Sequence, residues 1–261
     1  MDLQLNGKTA FISGSTAGIG YAIAEVLARE GARVVINGRT ESRVNEAVAR
    51  LGSLGDIRGI AADFSTAEGA ARVIAALPEV DVLINNVGIF EPKAFEEIDD
   101  ADWFHMFEVN VMSGVRLARH YFPKMKAKGW GRVVFISSES SLQIPAEMIH
   151  YGMTKTAQLA VARGLAELTV GTAVTVNSVL PGPTASEGVA EFVDRLGKEQ
   201  KKSREQMEEE FFRTARPTSL LQRFEKPEEI AEVVAFVCSP LASAINGAAV
   251  RADGGVIRAI G

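Results

Sequence analysis

Tyr151 and Lys155 are the two side chains in this sequence whose types and spacing predict acid/base chemistry. They stand four positions apart in YGMTK, and residues with that spacing share one face of a helix. A nearby ammonium favours the phenolate form, so we expect Lys155 to lower the pKa of Tyr151 towards neutrality. The chemistry would be proton transfer at a substrate oxygen. The alternative is a chance match, with a half-buried tyrosine beside a solvated lysine.

A glycine-rich turn near the start of the chain has the character of a phosphate site. Gly14, Gly18 and Gly20 lie in SGSTAGIG, with the spacing G-x-x-x-G-x-G instead of the common G-x-G-x-x-G. The turn follows a β-prone run, TAFISG, and opens a helical segment over 21–32, which places backbone N–H groups where a pyrophosphate binds. We predict a dinucleotide site. The alternative is a turn whose glycines serve only close packing.

Arg39 indicates which dinucleotide would bind. It directly follows the second β-run, RVVING, and no Asp or Glu stands between Gly31 and Gly38. A carboxylate there would repel a 2′-phosphate, whereas a guanidinium pairs with it. The predicted cofactor is NADP(H). NAD stays open because Arg39 could be an ordinary surface arginine and because Glu41 follows two residues later.

The scaffold for these groups is predicted by the alternation of β-runs and helical segments. The alternation continues from residue 9 to about residue 182. Runs such as DVLINN and RVVFIS are apolar on both faces, which is typical of a parallel sheet covered by helices. No repeat, low-complexity tract or linker interrupts the series. We therefore predict one doubly wound α/β domain over 1–261.

The segment from about 184 to 223 breaks this rhythm. It carries six acidic and six basic residues between Asp194 and Arg213. We expect a substrate lid, and a pair of solvated helices is the alternative. The predicted pocket walls are 89–92, 139–148 and 184–220, with apolar contributions from Ile144, Met148, Phe192, Phe211 and Phe212.

Composition excludes several classes of function. The chain of 261 residues carries a net charge of −5, so it has no global attraction to nucleic acid. No apolar run approaches the roughly 18 residues of a membrane span, and no export signal is evident. Cys238 is the one cysteine and the histidines are His105, His120 and His150, so we predict no disulfide and no metal site. The expected location is the cytoplasm.

Several motifs occur together in a characteristic order. SGSTAGIG, NNVG at 85–88, Asn110, Ser138, Tyr-x-x-x-Lys and LPG at 180–182 follow one another along the chain. This order resembles the classical short-chain dehydrogenase/reductase family, from Gly7 to about Gly255. The resemblance implies a Rossmann-like sheet of seven parallel strands and assembly as a homotetramer or homodimer. It also implies hydride transfer between NAD(P) and a small carbonyl or secondary-alcohol substrate.

The resemblance implies a role for each catalytic position. Tyr151 would be the general acid or base, Ser138 would hydrogen-bond the substrate oxygen, and Lys155 would lower the pKa of Tyr151 and hold the ribose hydroxyls. Asn110 would anchor a water in a proton relay. The cofactor-binding positions, including those above, are Gly14, Ser15, Gly18, Ile19, Gly20, Arg39, Asp63, Phe64, Asn86, Gly88, Tyr151, Lys155, Pro181, Gly182 and Ser186.

Three residues depart from the family pattern. Ser13 replaces the usual Thr and keeps a hydroxyl, while Val87 replaces the Ala of NNAG. Ala17 stands where NADP-preferring members often have a basic residue, which weakens the prediction of NADP. Two alternatives stay open: an NAD-preferring dehydrogenase, and a cofactor-binding regulator that has the fold without turnover.

Overall fold

A computed structural model describes residues 1–189 and 202–260. Seven parallel strands form one sheet in the order β3-β2-β1-β4-β5-β6-β7. The strands are β1 (Thr9–Ile12), β2 (Arg33–Gly38), β3 (Ile57–Ala61), β4 (Val82–Asn85), β5 (Trp130–Ile136), β6 (Ala173–Pro181) and β7 (Ala249–Ala252). The order reverses between β1 and β4, where doubly wound sheets open a crevice at the carboxyl ends of their strands. The predicted Rossmann-like fold is confirmed.

Helices cover both faces of the sheet. They are α1 (Gly18–Arg29), α2 (Glu41–Leu51), α3 (Ala67–Ala76), α4 (Asp100–Phe107), α5 (Ser113–Lys128), α6 (Ile149–Glu167), α7 (Arg204–Thr214) and α8 (Pro227–Cys238). Among them, none has the length together with the apolar composition that crossing a bilayer requires. The alternation of β-runs and helical segments predicted most of these elements. Two that it did not locate are α8 and β7.

The core has two hydrophobic layers, because neighbouring side chains on a strand point to opposite faces of the sheet. Ile12 packs in the layer beneath α1, α2 and α8, which includes Leu27 and Val234. Phe11, its neighbour on β1, packs in the layer beneath α3, α5 and α6, which includes Tyr121. Both faces of the sheet are therefore filled, and the carboxyl ends of the strands remain for a site.

Of the predicted lid, residues 190–201 lie outside the described part of the chain, and Phe192 lies there with them. The rest includes α7, whose amino end is capped by Ser203. The charged sequence REQMEEEFFRT thus forms a helix, and it buries Met207 and Phe212. Its carboxyl end leads to Arg216, which is buried.

Glu225 secures the chain where it leaves β6. Its carboxylate accepts hydrogen bonds from the backbone N–H of Gly182 at 3.0 Å and from the Thr184 hydroxyl at 3.5 Å. Its backbone N–H donates to the Pro183 carbonyl at 2.8 Å. Glu225 is buried, and this burial raises its pKa to about 7, with a further rise from the charge of Asp253.

Gly114 at the start of α5 lets that helix approach the sheet. A Cβ at this position would lie 2.8 Å from Cε1 of Phe135 and 3.2 Å from Cβ of Asn85. We expect Gly114→Ala to lower the free energy of unfolding by about 1–3 kcal/mol, because the buried neighbours must move. Urea unfolding followed by circular dichroism measures the change.

Gly164 on α6 is the matched control for Gly114. No heavy atom lies within 4 Å of its built Cβ, and the residue is exposed. Gly164→Ala should raise the free energy of unfolding by about 0.5–1 kcal/mol, since alanine favours the helix. Equal effects of the two substitutions would contradict the packing argument.

The raised pKa of Glu225 makes stability depend on pH. The ordinary value is 4.5 and the folded value is about 7, so the folded state binds more protons between these pH values. The contribution of Glu225 to stability is complete below pH 4.5 and is lost as the pH rises through 7.

Glu225→Gln should therefore stabilise the protein at pH 8, by up to about 3 kcal/mol, and should not stabilise it at pH 4.5. Unfolding at pH 4.5 and 8, with exposed Glu228→Gln as control, measures this. If Glu225→Gln changed the free energy of unfolding by the same amount at both pH values, the prediction would be contradicted.

Candidate active site

A cavity of about 540 Å³ opens at the carboxyl ends of the strands. It extends from the first turn of α1 to α6 and to the residues that follow α7. The predicted site residues that line it are Gly18, Ile19, Gly20, Asn86, Gly88, Ser138, Tyr151, Lys155, Pro181, Gly182 and Ser186. Positions separated by more than 160 residues in the chain thus meet in one space.

The amino end of α1 forms one side of the cavity. The first N–H groups of a helix have no partner within it, and here no side-chain cap or acidic residue serves the first turn. Gly20 allows the turn to close, because a Cβ there would lie 2.4 Å from the Gly14 carbonyl oxygen and 2.9 Å from Cα of Ser15. This end of the helix therefore suits the pyrophosphate of a dinucleotide.

Gly14 and Ser15 shape this turn and do not line the cavity. Gly14 has φ of 62°, a conformation that favours glycine, and its N–H donates to Oδ1 of Asn37 at 3.1 Å. The Ser15 hydroxyl donates to the Ile12 carbonyl at 2.7 Å and accepts from the Asn37 N–H at 2.9 Å. Asn37 was missed by the sequence interpretation. Its signal is an amide inside an otherwise apolar strand.

The loop after β4 is tied to the turn through Ser13. The Ser13 hydroxyl accepts hydrogen bonds from the N–H groups of Asn86 at 2.9 Å and Val87 at 3.2 Å. The Asn86 amide in turn donates to the Gly14 carbonyl at 2.8 Å. Serine in place of threonine thus retains the hydroxyl that this junction uses. Val87 packs close to Gly14, whose built Cβ would lie 3.1 Å from a valine methyl.

Ser138 and the Tyr151–Lys155 pair approach one another across the cavity. Ser138 follows β5, and the other two lie on α6. The Lys155 ammonium donates to the Ile136 carbonyl at 3.0 Å and lies 5.6 Å from the centre of the Tyr151 ring. Burial lowers the pKa of Lys155 to about 8, while the negative charge of Glu139 opposes this change. Gly88 leaves room for the ammonium, since a Cβ there would lie 3.2 Å from Nζ.

The pKa of Tyr151 differs in direction from the sequence-based expectation. Burial raises it, and the negative charge of Glu139 raises it further. A hydrogen bond with Ser138 and the charge of Arg216 act in the opposite direction. The prediction that the pKa of Tyr151 is lowered towards neutrality is therefore wrong. The cost of desolvating a phenolate outweighs the stabilisation of the phenolate by nearby positive charge. That positive charge comes from Arg216.

Asn110 forms hydrogen bonds with residues close to Tyr151 and Lys155. It lies in a π-helical turn, Glu108–Met112, between α4 and α5, and such turns are frequent at functional sites. Its side chain accepts from the Ile89 N–H at 2.8 Å and donates to the Ile89 carbonyl at 2.9 Å and to the Thr154 hydroxyl at 3.0 Å. The backbone carbonyl of Asn110 accepts a hydrogen bond from the side-chain amide of Gln158 at 2.6 Å. Asn110 thus joins the loop after β4 to α6.

Three of the predicted cofactor-binding residues, Arg39, Asp63 and Phe64, do not line the cavity. Arg39 is exposed at the end of β2, and Asp63 is exposed after β3. Phe64 is 2% exposed and packs edge-on against Phe11, so its ring belongs to the core. Glu41, the sequence signal against NADP, lies within 3.7 Å of Arg72 in an ion pair.

Two charged residues at the substrate end were missed as individual site residues. Glu139, which follows Ser138, and Arg216 form an ion pair with Nε 2.8 Å from Oε1. The sequence interpretation counted Glu139 only as part of the pocket wall. Arg216 lay within the predicted 184–220 wall but was not singled out, because its importance depends on a partner 77 positions away. Of the predicted apolar wall, Met148 and Phe211 line the cavity, and Phe212 is buried in contact with Phe211 and Phe224.

Comparisons with known proteins show which family the chain resembles. A family model described as short chain dehydrogenase matches residues 8–197. "Uncharacterized oxidoreductase YvaG" of Bacillus subtilis is 50% identical over the whole of both chains. The 3-oxoacyl-[acyl-carrier-protein] reductase FabG of Aquifex aeolicus is 29% identical over 98% of this chain and 100% of its own.

A solved structure extends the comparison to three dimensions. L-sorbose reductase from Gluconobacter frateurii, in complex with NADPH and L-sorbose, superposes with a TM-score of 0.93. It is 30% identical and both chains are covered completely. The match of the family model, the sequence similarity and the shared fold lead to one conclusion. The chain belongs to the classical short-chain dehydrogenase/reductase family of oxidoreductases.

Proposed function

We propose that this protein transfers hydride between NADP(H) and a small carbonyl compound or secondary alcohol. The observation that carries the proposal is one cavity in which Ser138, Tyr151 and Lys155 face the amino end of α1. Glycines let the turn close at that helix end and leave room for the Lys155 ammonium. These features suit a nicotinamide dinucleotide, and the bound cofactor would supply or accept the hydride.

Tyr151 is the acid that protonates the substrate oxygen in this proposal. Its phenol is protonated at neutral pH, because burial raises a pKa that is ordinarily already well above neutrality. A protonated phenol can donate to the oxygen of a carbonyl substrate. In this structure the single hydroxyl proton of Ser138 is directed to Glu139. When a substrate binds, the hydroxyl would turn to the same oxygen and stabilise the negative charge that develops there.

Lys155 and Asn110 support this pair. The buried Lys155 ammonium is held at the Ile136 carbonyl, beside Gly88, where it can bind the ribose hydroxyls. Asn110 fixes Ile89 and Thr154 relative to each other, and so it positions α6 against the cofactor side of the cavity. Precise placement of reacting groups contributes much of the rate in such reactions.

The preference for NADP(H) rests on the charge near the end of β2. Arg39 is exposed there, and the nearby Glu41 is engaged with Arg72. L-sorbose reductase, which shares the fold closely, was solved with NADPH. An NAD-preferring enzyme is the alternative. The uncharged Ala17 stands at a position where NADP-preferring members of the family often have a basic residue.

The assembly and the location stay predictions. A homodimer or homotetramer would cover exposed apolar side chains such as Phe104 on α4, which is 74% exposed. The expected cytoplasmic location follows from the sequence interpretation alone.

Tyr151→Phe tests the catalytic role. It removes the acidic oxygen and keeps the ring, so we expect kcat to fall by about 10²–10⁴-fold while the affinity for NADPH changes less than about threefold. Oxidation of NADPH at 340 nm and fluorescence titration measure the two quantities. Tyr21→Phe, on α1 and outside the cavity lining, is the matched control and should keep full activity.

The same measurements separate the enzyme from the cofactor-binding regulator. A wild-type protein that binds NADPH but turns over no carbonyl compound would favour the regulator. Full activity in Tyr151→Phe would contradict the assigned acid.

Arg39→Asp tests the cofactor preference. The loss of a guanidinium–phosphate bond should weaken NADPH binding by about 10–100-fold and leave NADH binding within about threefold. Fluorescence titration with both cofactors measures the ratio. Arg58→Asp, an exposed arginine on β3, makes the same charge change as a control. An unchanged ratio of the two affinities in Arg39→Asp would favour the NAD alternative.

A further inference from the structure

The cavity has one charged corner beside Ser138. Its charged members are Glu139, Glu147 and Arg216, and its apolar walls are Phe90, Met148, Phe211 and Phe224. The guanidinium of Arg216 bonds through Nε to Glu139 at 2.8 Å and through Nη1 to Glu147 at 3.1 Å. The three side chains therefore form a connected group within an apolar surround.

The Glu139–Arg216 pair is deeply buried. The side chains are 6% and 8% exposed. Two charges placed at this depth lose hydration, and their mutual attraction offsets that loss only in part. Proteins in which apolar residues of similar volume replace such a pair are often as stable or more stable. Stability therefore does not account for the pair. Its position in the cavity wall points to recognition of a ligand.

The pair has unused hydrogen-bonding capacity. A carboxylate has about four acceptor positions. In Glu139, Oε2 accepts from the Ser138 hydroxyl and from the Ser140 N–H, and Oε1 accepts from Arg216. Within the described residues, Oε1 has one further acceptor position without a donor, and Nη2 of Arg216 has no acceptor.

We infer that Glu139 and Arg216 form a subsite for a hydroxyl group on the carbon next to the reacting carbonyl. A hydroxyl can donate to Oε1 of Glu139 and accept from Nη2 of Arg216 at the same time. The inference rests on the proposed function, in which Ser138 contacts the reacting oxygen. The Ser138 hydroxyl, which would turn to that oxygen when a substrate binds, donates to Glu139 in this structure. The subsite therefore adjoins the position of the reacting oxygen.

This subsite selects a neutral hydroxyketone, or the matching polyol in the reverse direction. A plain ketone, or a 3-oxoacyl chain, has no donor at that carbon, so it would desolvate the pair without replacing the lost hydrogen bonds. A free carboxylate at the same place would face two carboxylates, Glu139 and Glu147, and only one guanidinium. The apolar walls accept the rest of the substrate.

Three carbonyl compounds of equal chain length test the selectivity. We expect the wild-type enzyme with NADPH to reduce 1-hydroxyhexan-2-one with a kcat/KM about 100-fold above that for hexan-2-one and for 3-oxohexanoate, since a site built for a hydroxyl rejects analogues that lack it. Consumption of NADPH at 340 nm gives the values. Equal values for the hydroxyketone and the plain ketone overturn the inference and leave the proposed function intact.

Variants assign the selectivity to the pair. Glu139→Leu with Arg216→Met removes both charges together and should reduce the preference for the hydroxyketone to below about threefold. The control, Glu25→Leu with Arg29→Met, removes an exposed ion pair on α1 and should keep the preference. Thermal unfolding shows whether each variant folds. If the double variant does not fold, Glu139→Gln decides: KM should rise about 10-fold for the hydroxyketone and less than twofold for hexan-2-one.

Binding separates this inference from the proposed function. Tyr151→Phe loaded with NADPH should bind 1-hydroxyhexan-2-one at least about 10-fold more tightly than hexan-2-one, as measured by nicotinamide fluorescence. This preference without turnover in the wild type would contradict the proposed function and support the subsite. Equal binding of the two compounds, or a preference that persists in the folded double variant, overturns the subsite.

Discussion

The junction between the ends of β1 and β4 is the interaction on which the rest of the site depends. The Ser13 hydroxyl accepts from two backbone N–H groups of the loop after β4, and Asn86 donates back to the Gly14 carbonyl. These bonds lie at the reversal of strand order, where the sheet opens a crevice. They set the amino end of α1 opposite Gly88 and Lys155. The helix end that suits a phosphate and the proposed proton donor, Tyr151, are thereby held in one cavity.

Burial governs the electrostatics of that cavity. It raises the pKa of Tyr151 and lowers the pKa of Lys155 to about 8, because each charged form loses hydration. Glu139 acts on both groups, and Arg216 compensates its charge. The protonation state of Tyr151 thus depends on a carboxylate–guanidinium pair as well as on burial. Catalysis and substrate selection are coupled in the proposed enzyme through Ser138 and Glu139.

Helix α6 and the π-helical turn before α5 show how backbone geometry supports chemistry. The turn presents the side chain of Asn110 to Ile89 and Thr154, and Gly114 just after it lets α5 reach Phe135 and Asn85. The sequence pattern predicts one helix over 103–126. It cannot show the wider turn, because periodicity registers which residues are apolar and not how each carbonyl is paired.

The sequence by itself determined the parallel α/β fold, the glycine turn and the order of the catalytic motifs, because these depend on local periodicity, backbone freedom and spacing along one helix. Only the tertiary structure decided the direction of the Tyr151 pKa and the presence of Arg216 in the cavity. Both depend on groups that lie far apart in the chain and on how much water is excluded where they meet. Residues such as Asn37 and Glu139 stand between these cases. Their polarity was visible in the sequence, but their hydrogen-bond partners were set by the folded chain.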